Sequence, residues 1–151
     1  MDLFSENIGV FYTEFGAGRK MVLSTAEDNR VSSRMMSVVR IDGYFYFQTD
    51  ITLRKYHQIS ANDNVALCAD NIQIEGKCTE TGHPLNNVLF CEAFQACFKG
   101  SYDAYSALKN ERLFVVKPFY IERWIYKDKN PYIETFDITN RRYSFNMYSG
   151  V

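Results

Sequence analysis

RMMSVVRIDGYFYFQTDITLRKY, residues 34–56, is the stretch of sequence that decides the fold. Two dense apolar runs flank Asp42-Gly43, which is a strong signal for a two-residue hairpin turn. We therefore expect residues 44–49 to form a strand antiparallel to the strand before the turn. A helix is expected next, because Thr52 can cap a segment that runs to about Ala61.

The segments before this stretch extend the pattern toward the N-terminus. Residues 20–25 (KMVLST) are a compact apolar run, and the turn-rich AEDNR at 26–30 separates them from VSSRMMSVVRI at 31–41. This order predicts a hairpin. Residues 5–15 carry apolar side chains at helical spacing with Ser5 as a possible N-cap, so they predict a short amphipathic helix.

The segments after the stretch also alternate between strand and helix signals. VALCAD at residues 65–70 is strand-like, and apolar residues recur with a period of two from 72 to 79. A helix is predicted over residues 85–98, ended by Gly100, and a second short helix from a Ser101 cap. The helix expected over residues 85–98 carries an apolar stripe that consists of Leu85, Val88, Leu89, Ala93, Phe94 and Cys97.

The last third of the chain is again strand-like, in LFVVKPFYIERWIY, IETFDI and RRYSFNMY. No internal repeat interrupts this plan. The simplest architecture that accommodates these elements is α+β, a mainly antiparallel β-barrel with a few helices. A length of 151 residues with 46% hydrophobic residues favours one domain spanning residues 1–151.

The overall charge excludes several classes of partner. Lys plus Arg number 17 against 18 Asp plus Glu, so we expect no binding to nucleic acid or to an anionic membrane surface. The sequence has no apolar run of membrane-spanning length and no secretory pattern at MDLFSENIGV, which predicts a cytoplasmic protein. Four scattered cysteines and two histidines predict buried thiols and no metal site.

Arg54 and Lys55 are the first candidate site residues. Both cations fall in the first turn of the helix expected after Thr52, where the macrodipole is positive and N–H groups lack partners. A bound phosphate would reverse this unfavourable arrangement, because it would take the free N–H groups and pair with both cations. The alternative is that both side chains are simply solvated.

Polar residues at neighbouring strand ends favour the phosphate. Arg34 lies in an otherwise apolar strand, and Gln48 and Thr49 end the next strand just before the cationic turn. Such a set suits an extended ligand with a polar tail lying across the sheet. The alternative for Arg34 is an arginine at the barrel mouth that pairs with an acidic residue.

With these residues in place, the chain resembles the pyridoxamine 5′-phosphate oxidase family of FMN-binding split barrels. The resemblance covers about residues 20 to 80 well and rests on an ordered set of short motifs. These motifs are Arg34-Met35-Met36-Ser37, Phe47-Gln48-Thr49, Leu53-Arg54-Lys55 and Ile74-Glu75-Gly76-Lys77.

The resemblance implies FMN as cofactor and a role for each matching residue. The strand from Arg34 through Met35 and Met36 to Ser37 would line the FMN, with Arg34 near the ribityl-phosphate tail. Gln48 and Thr49 would contact the tail and ring edge, and Arg54 and Lys55 the phosphate. Asn71 would contact the isoalloxazine edge. The family also implies a homodimer with FMN in the crevice between subunits.

Two departures from the family pattern bear on the reaction. The true oxidases carry a basic residue late in the second strand, where this chain has Val39, and a basic C-terminal motif that RRYSFNMYSGV lacks. We therefore do not expect pyridoxamine phosphate oxidation. The resemblance instead implies an FMN-dependent oxidoreductase of the short, stress-protein-like or nitroreductase-like type, with an unidentified small molecule as substrate. The alternatives are a flavin-storing module without turnover, or a related barrel that binds haem or a deazaflavin.

Overall fold

The computed structural model describes all 151 residues and contains eight strands and four α-helices. The strands are β1 (Gly18–Glu27), β2 (Arg30–Ile41), β3 (Tyr44–Asp50), β4 (Asn64–Ala69), β5 (Ile72–Glu80), β6 (Glu111–Lys127), β7 (Asn130–Asp137) and β8 (Arg142–Met147). The helices are α1 (Leu3–Phe15), α2 (Arg54–Ala61), α3 (Val88–Cys97) and α4 (Lys99–Tyr105). None of the helices combines the length and the apolar character that crossing a bilayer requires.

A closed antiparallel barrel forms the centre of the molecule. The strands follow the order β3-β2-β1-β4-β5-β6, and a further pairing between β3 and β6 closes the ring. β7 and β8 continue the sheet beyond β6. All neighbouring pairs are antiparallel. The predicted α+β class with an antiparallel barrel is confirmed.

The barrel interior is filled by the inward residues of the alternating strands. In β1, Met21 and Leu23 are fully buried while their neighbours are partly exposed, which is the period of two expected for a sheet with one core face. Phe47 and Phe114 stack inside with ring centroids 5.5 Å apart. α1 covers one side of this core with Phe11 and other buried aromatic residues.

The helix starts differ from the sequence expectations. α1 is capped by Asp2, whose carboxylate accepts the N–H of Ser5 at 2.7 Å, so Ser5 is not the N-cap. α2 begins after Leu53, which supplies no side-chain cap. Thr52 instead donates its hydroxyl to Asp50 at 2.6 Å. A polar side chain two residues back competes for the same hydroxyl, and this local bond removes Thr52 from the cap position.

The helix expected over residues 85–98 is also shorter than predicted, and it buries a different face. A 3₁₀ turn at Pro84–Asn86 precedes α3, whose buried residues are Phe90 and Phe94. Of the predicted stripe, Val88 and Leu89 are exposed. The two phenylalanines pack on Val39 and Leu113, outside the barrel wall, because large aromatic rings bury more area than the aliphatic residues beside them.

Two smaller expectations also differ. α4 begins at Lys99 and contains Gly100, so the helix starts before the expected Ser101 cap. Among the free cysteines, Cys78 is buried as expected, whereas Cys68 is exposed.

The close packing of β5 against β6 requires the glycine of the Ile74-Glu75-Gly76-Lys77 motif. Gly76 lies at a register shift between β5 and β6, where a Cβ atom would come 2.7 Å from the carbonyl oxygen of Lys117 and 2.8 Å from a methyl group of Val116. The register partner of Gly76 is Pro118, and proline in an inner strand is accommodated at such an irregularity. Only glycine therefore permits this close approach of the strands.

Candidate functional site

A cavity of about 460 Å³ opens where the middle of β2 and the end of β3 meet the start of α2, with α3 and α4 on its other side. Six of the residues singled out from the sequence line it: Met35, Met36, Ser37, Gln48, Thr49 and Lys55. The cavity falls within the volume range of small-molecule and cofactor sites.

Lys55 is the cation that α2 places in this cavity. It forms no ion pair in the structure. Burial lowers the pKa of Lys55, and the positive charge of Arg34 lowers it further, although nearby Glu111 acts in the opposite direction. A half-buried ammonium group without a close partner favours an anionic ligand.

The backbone at the start of α2 adds hydrogen-bond donors. Leu53 gives no side-chain cap, and no backbone acceptor takes the N–H groups of Arg54 and Lys55. These donors lie at the positive end of the helix. Together with Thr52, which also lines the cavity, they form the donor set that a phosphate group requires.

Gln48 and Thr49 approach the cavity from the end of β3. The side-chain oxygen of Gln48 accepts the hydroxyl of Ser106 at 2.8 Å, which fixes the amide. The hydroxyl oxygen of Thr49 is completely buried and has no hydrogen-bond partner. Because buried polar groups are nearly always paired, this hydroxyl points to a partner that the chain alone does not supply.

Arg34 lies inside the barrel mouth and not in the cavity. Its guanidinium donates to the hydroxyl of Thr25 at 2.9 Å and also to the side-chain oxygen of Gln58 on α2. It pairs with no acidic residue, which contradicts the alternative of a simple ion pair. Burial lowers the pKa of Arg34, and the charge of Arg54 lowers it further.

Arg54 points away from its neighbour Lys55. It lines a second cavity of about 390 Å³ that contains only polar residues. The other lining residues are Glu27, Asp28, Arg30, His57 and Gln58. Adjacent positions on a helix lie about 100° apart, so the two cations cannot face the same cavity equally.

Asn71 does not line the cavity either. It follows β4, and its amide donates to the backbone carbonyl of Trp124 at 2.6 Å. Trp124 is 37% exposed and packs edge-on against Tyr148. Asn71, Trp124 and Tyr148 all lie outside the 460 Å³ cavity of their own chain.

Glu111 is a residue of the cavity that sequence reasoning missed. It begins β6, lines the cavity with Lys55, and is only 5% exposed. Burial raises the pKa of Glu111 to about 7, the negative charge of Asp50 contributes, and Lys55 partly offsets both. The only signal in the sequence was a single acidic residue shortly before the apolar run LFVV.

Comparison with known proteins agrees with this architecture. Residues 13–125 match the family model described as pyridoxamine 5′-phosphate oxidase. No protein among the curated sequences is similar enough to match the chain.

Several solved structures share the fold. A pyridoxamine 5′-phosphate oxidase-related, FMN-binding protein from Nostoc punctiforme PCC 73102 has a TM-score of 0.64 at 12% identity, covering 99% of this chain and 98% of its own. General Stress Protein 26 from Bacillus anthracis str. Sterne has a TM-score of 0.59 at 21% identity, with 80% and 92% covered. HutZ, a haem storage protein from Vibrio cholerae, has a TM-score of 0.58 at 15% identity, with 76% and 89% covered.

At these identities the structural likeness concerns the fold alone, and the family assignment comes from the matched sequence model, which spans most of the chain. The chain belongs to the pyridoxamine 5′-phosphate oxidase family.

Proposed function

We propose that this protein binds FMN in the 460 Å³ cavity, with the phosphate at the start of α2 and the isoalloxazine ring along the strand from Met35 to Ser37. The observation that carries the proposal is the position of Lys55. This cation has no counter-ion, lies beside two free helix N–H groups and faces a cavity of cofactor size.

The remaining residues of the cavity fit the same ligand. Thr49, whose buried hydroxyl has no partner within the chain, lines the cavity, and the side chain of Gln48 is held in place by Ser106. Arg34 and Arg54 lie outside the cavity, yet their charges reinforce the positive potential at this end of α2.

The activity proposed is that of an oxidoreductase acting on a small molecule. FMN, when bound, supplies reversible hydride and electron transfer, so the chain needs no nucleophile of its own. The protein holds the phosphate through Lys55, orients the ring on β2 and keeps water from one of its faces. Pyridoxamine phosphate is not the proposed substrate, because Val39 is fully buried against Phe90 and offers no cation at that position.

We also propose a homodimer that covers the flavin. Met35 is 61% exposed although it lines the cavity, and Leu53 on the same rim is also exposed. A second subunit would remove this apolar surface from water. Asn71 does not line the cavity of its own chain, so it would contact a flavin only across such an interface.

A haem is less well supported than a flavin. Neither histidine lines the cavity: His57 lies in the second, polar cavity, and the ring of His83 contacts the backbone carbonyl of Leu108 at 2.9 Å. A haem there would lack the histidine ligand that haem proteins commonly use. A deazaflavin with the same phosphate would satisfy the site equally, and mass spectrometry distinguishes the two.

The experiment that tests the proposal is the absorption spectrum of the purified protein, followed by mass spectrometry of the released ligand. A yellow protein that releases FMN supports it. A colourless protein that cannot be reconstituted with FMN refutes it. Oxidation of NAD(P)H with a nitroaromatic or quinone acceptor then distinguishes an oxidoreductase from a flavin-storing module.

A further inference from the structure

We propose that Glu111 takes up a proton when a phosphate ligand binds in the cavity, so that phosphate binding weakens as the pH rises through neutrality. This inference rests on the proposed function, because it assigns a regulatory group to the same FMN site. It goes beyond the family resemblance, which gave Glu111 no role.

The position of Glu111 makes its carboxylate a competitor of the phosphate. It is the first residue of β6 and pairs in register with Asp50 at the end of β3. Its side chain is almost completely buried, yet the carboxylate forms no ion pair and accepts no hydrogen bond in the structure. It faces the same cavity as Lys55, the proposed phosphate ligand.

Other groups around Glu111 do not neutralise it. Asp50 across the strand pair adds a second negative charge, although its carboxylate already accepts the N–H and hydroxyl of Thr52. Arg112, next along β6, directs its guanidinium to the backbone carbonyls of Lys109 and Glu111, at 3.1 and 2.7 Å.

Two further titratable side chains reach the cavity from other elements. Lys20 comes from β1 and Tyr105 from α4. Neither forms a hydrogen bond or an ion pair with Glu111. Lys55 is therefore the cation for which Glu111 and a phosphate compete.

The direction of the pH effect follows from this competition. Burial and Asp50 together raise the pKa of Glu111 to about 7. Below that pH the carboxyl is neutral, and a phosphate meets Lys55 without repulsion. Above it, the ionised carboxylate repels the phosphate, and binding requires proton uptake from solvent. Each pH unit above the pKa then costs up to about tenfold in affinity.

The test compares FMN with riboflavin, which has the same ring and no phosphate, from pH 5.5 to 8.5. For the wild-type protein, FMN affinity is expected to fall up to about tenfold between pH 7.5 and 8.5. Glu111→Gln should lose this fall and bind FMN more tightly than wild type at pH 8.5. The exposed Glu92→Gln on α3 serves as the control and should keep the wild-type profile.

The phosphate of FMN has its own ionisation near pH 6, and its effect is common to all variants. The difference between the profiles of wild type and Glu111→Gln is therefore the readout. Calorimetry of the wild-type protein in two buffers of different ionisation enthalpy measures the proton uptake directly and does not depend on the variant folding.

The outcomes separate the two proposals. Parallel FMN profiles for wild type and Glu111→Gln, or FMN binding at pH 8 without proton uptake beyond that of the phosphate itself, would overturn the role of Glu111 alone. Equal pH dependence for riboflavin and FMN would also overturn it, because the competition requires the phosphate. Absence of any flavin binding at every pH would refute the proposed function instead.

Discussion

Replacement of Lys55 by alanine provides the sharpest test of where the phosphate lies. Lys55 faces the 460 Å³ cavity, whereas its neighbour Arg54 faces the second, polar cavity. A charge-assisted hydrogen bond contributes roughly 1.5–3 kcal/mol. Lys55→Ala should therefore weaken FMN binding by roughly 10- to 150-fold. Arg54→Ala removes only a charge at a distance, worth up to about 1 kcal/mol or about fivefold.

The assay is quenching of flavin fluorescence on titration with protein at pH 6.5, repeated at low and high salt. Riboflavin should bind both variants as it binds wild type, because it has no phosphate to lose. The matched control is Lys127→Ala, which removes an exposed lysine at the far end of β6. High salt should reduce the small effect of Arg54→Ala more than that of Lys55→Ala, because exposed charges are screened more strongly.

Two results would refute this reasoning. If Lys55→Ala binds FMN as tightly as Lys127→Ala does, the phosphate is not held at Lys55. If Arg54→Ala has the larger effect, the phosphate belongs in the second cavity beside His57. Circular dichroism of each variant confirms that the fold is retained before affinities are compared.

Three further changes test the site and the barrel. Thr49→Val removes a buried hydroxyl that has no partner. It should raise the free energy of unfolding of the ligand-free protein by about 1 kcal/mol, measured in urea, and weaken FMN binding. A lower free energy of unfolding would contradict this prediction. Gly76→Ala should lower the free energy of unfolding by about 1–3 kcal/mol. The control Gly100→Ala should not lower it, because a Cβ atom at Gly100 would meet open space. Equal effects of the two substitutions would contradict the close contact between β5 and β6. Glu134→Ala removes the closest partner of Arg123, whose side chain is 11% exposed and keeps its contact with Glu14. It should cost up to about 3–5 kcal/mol, measured as a lower Tm, and a loss below about 1 kcal/mol would show that Glu14 suffices.

The local elements of the barrel could be predicted because their signals lie within a few residues. Asp42-Gly43 joins β2 to β3, as a two-residue turn between apolar runs indicates, and Asp42 adopts a positive φ of 54° there. The pairing of β3 with β6 had no such signal. It joins segments that are far apart in the chain. Both strands show the same alternation of apolar and polar residues as the other strands, so this alternation does not identify their partner.

The candidate site was predicted less completely than the fold, for a geometric reason. Arg54 and Lys55 are adjacent in sequence, yet one helical position rotates a side chain by about 100°, and the pair is divided between two cavities. Glu111 lies outside every motif that the sequence shows. Its carboxylate stands out only through its burial, and that burial arises only when the barrel closes around it. Its proximity to Lys55 depends on the non-local β3 and β6 pairing.

β6 also governs how the barrel can assemble. This strand pairs with β3, β5 and β7, and the pairs Asp50 with Glu111 and Phe45 with Val116 join positions 61 and 71 apart. Closing such long loops costs entropy before the contacts form, whereas the β1 and β2 hairpin requires only a short turn. Refolding should therefore proceed from early hairpins to a late closure by β6. The 460 Å³ cavity, which lies at that closure, would be complete only after this last step, so the proposed FMN binding should follow it.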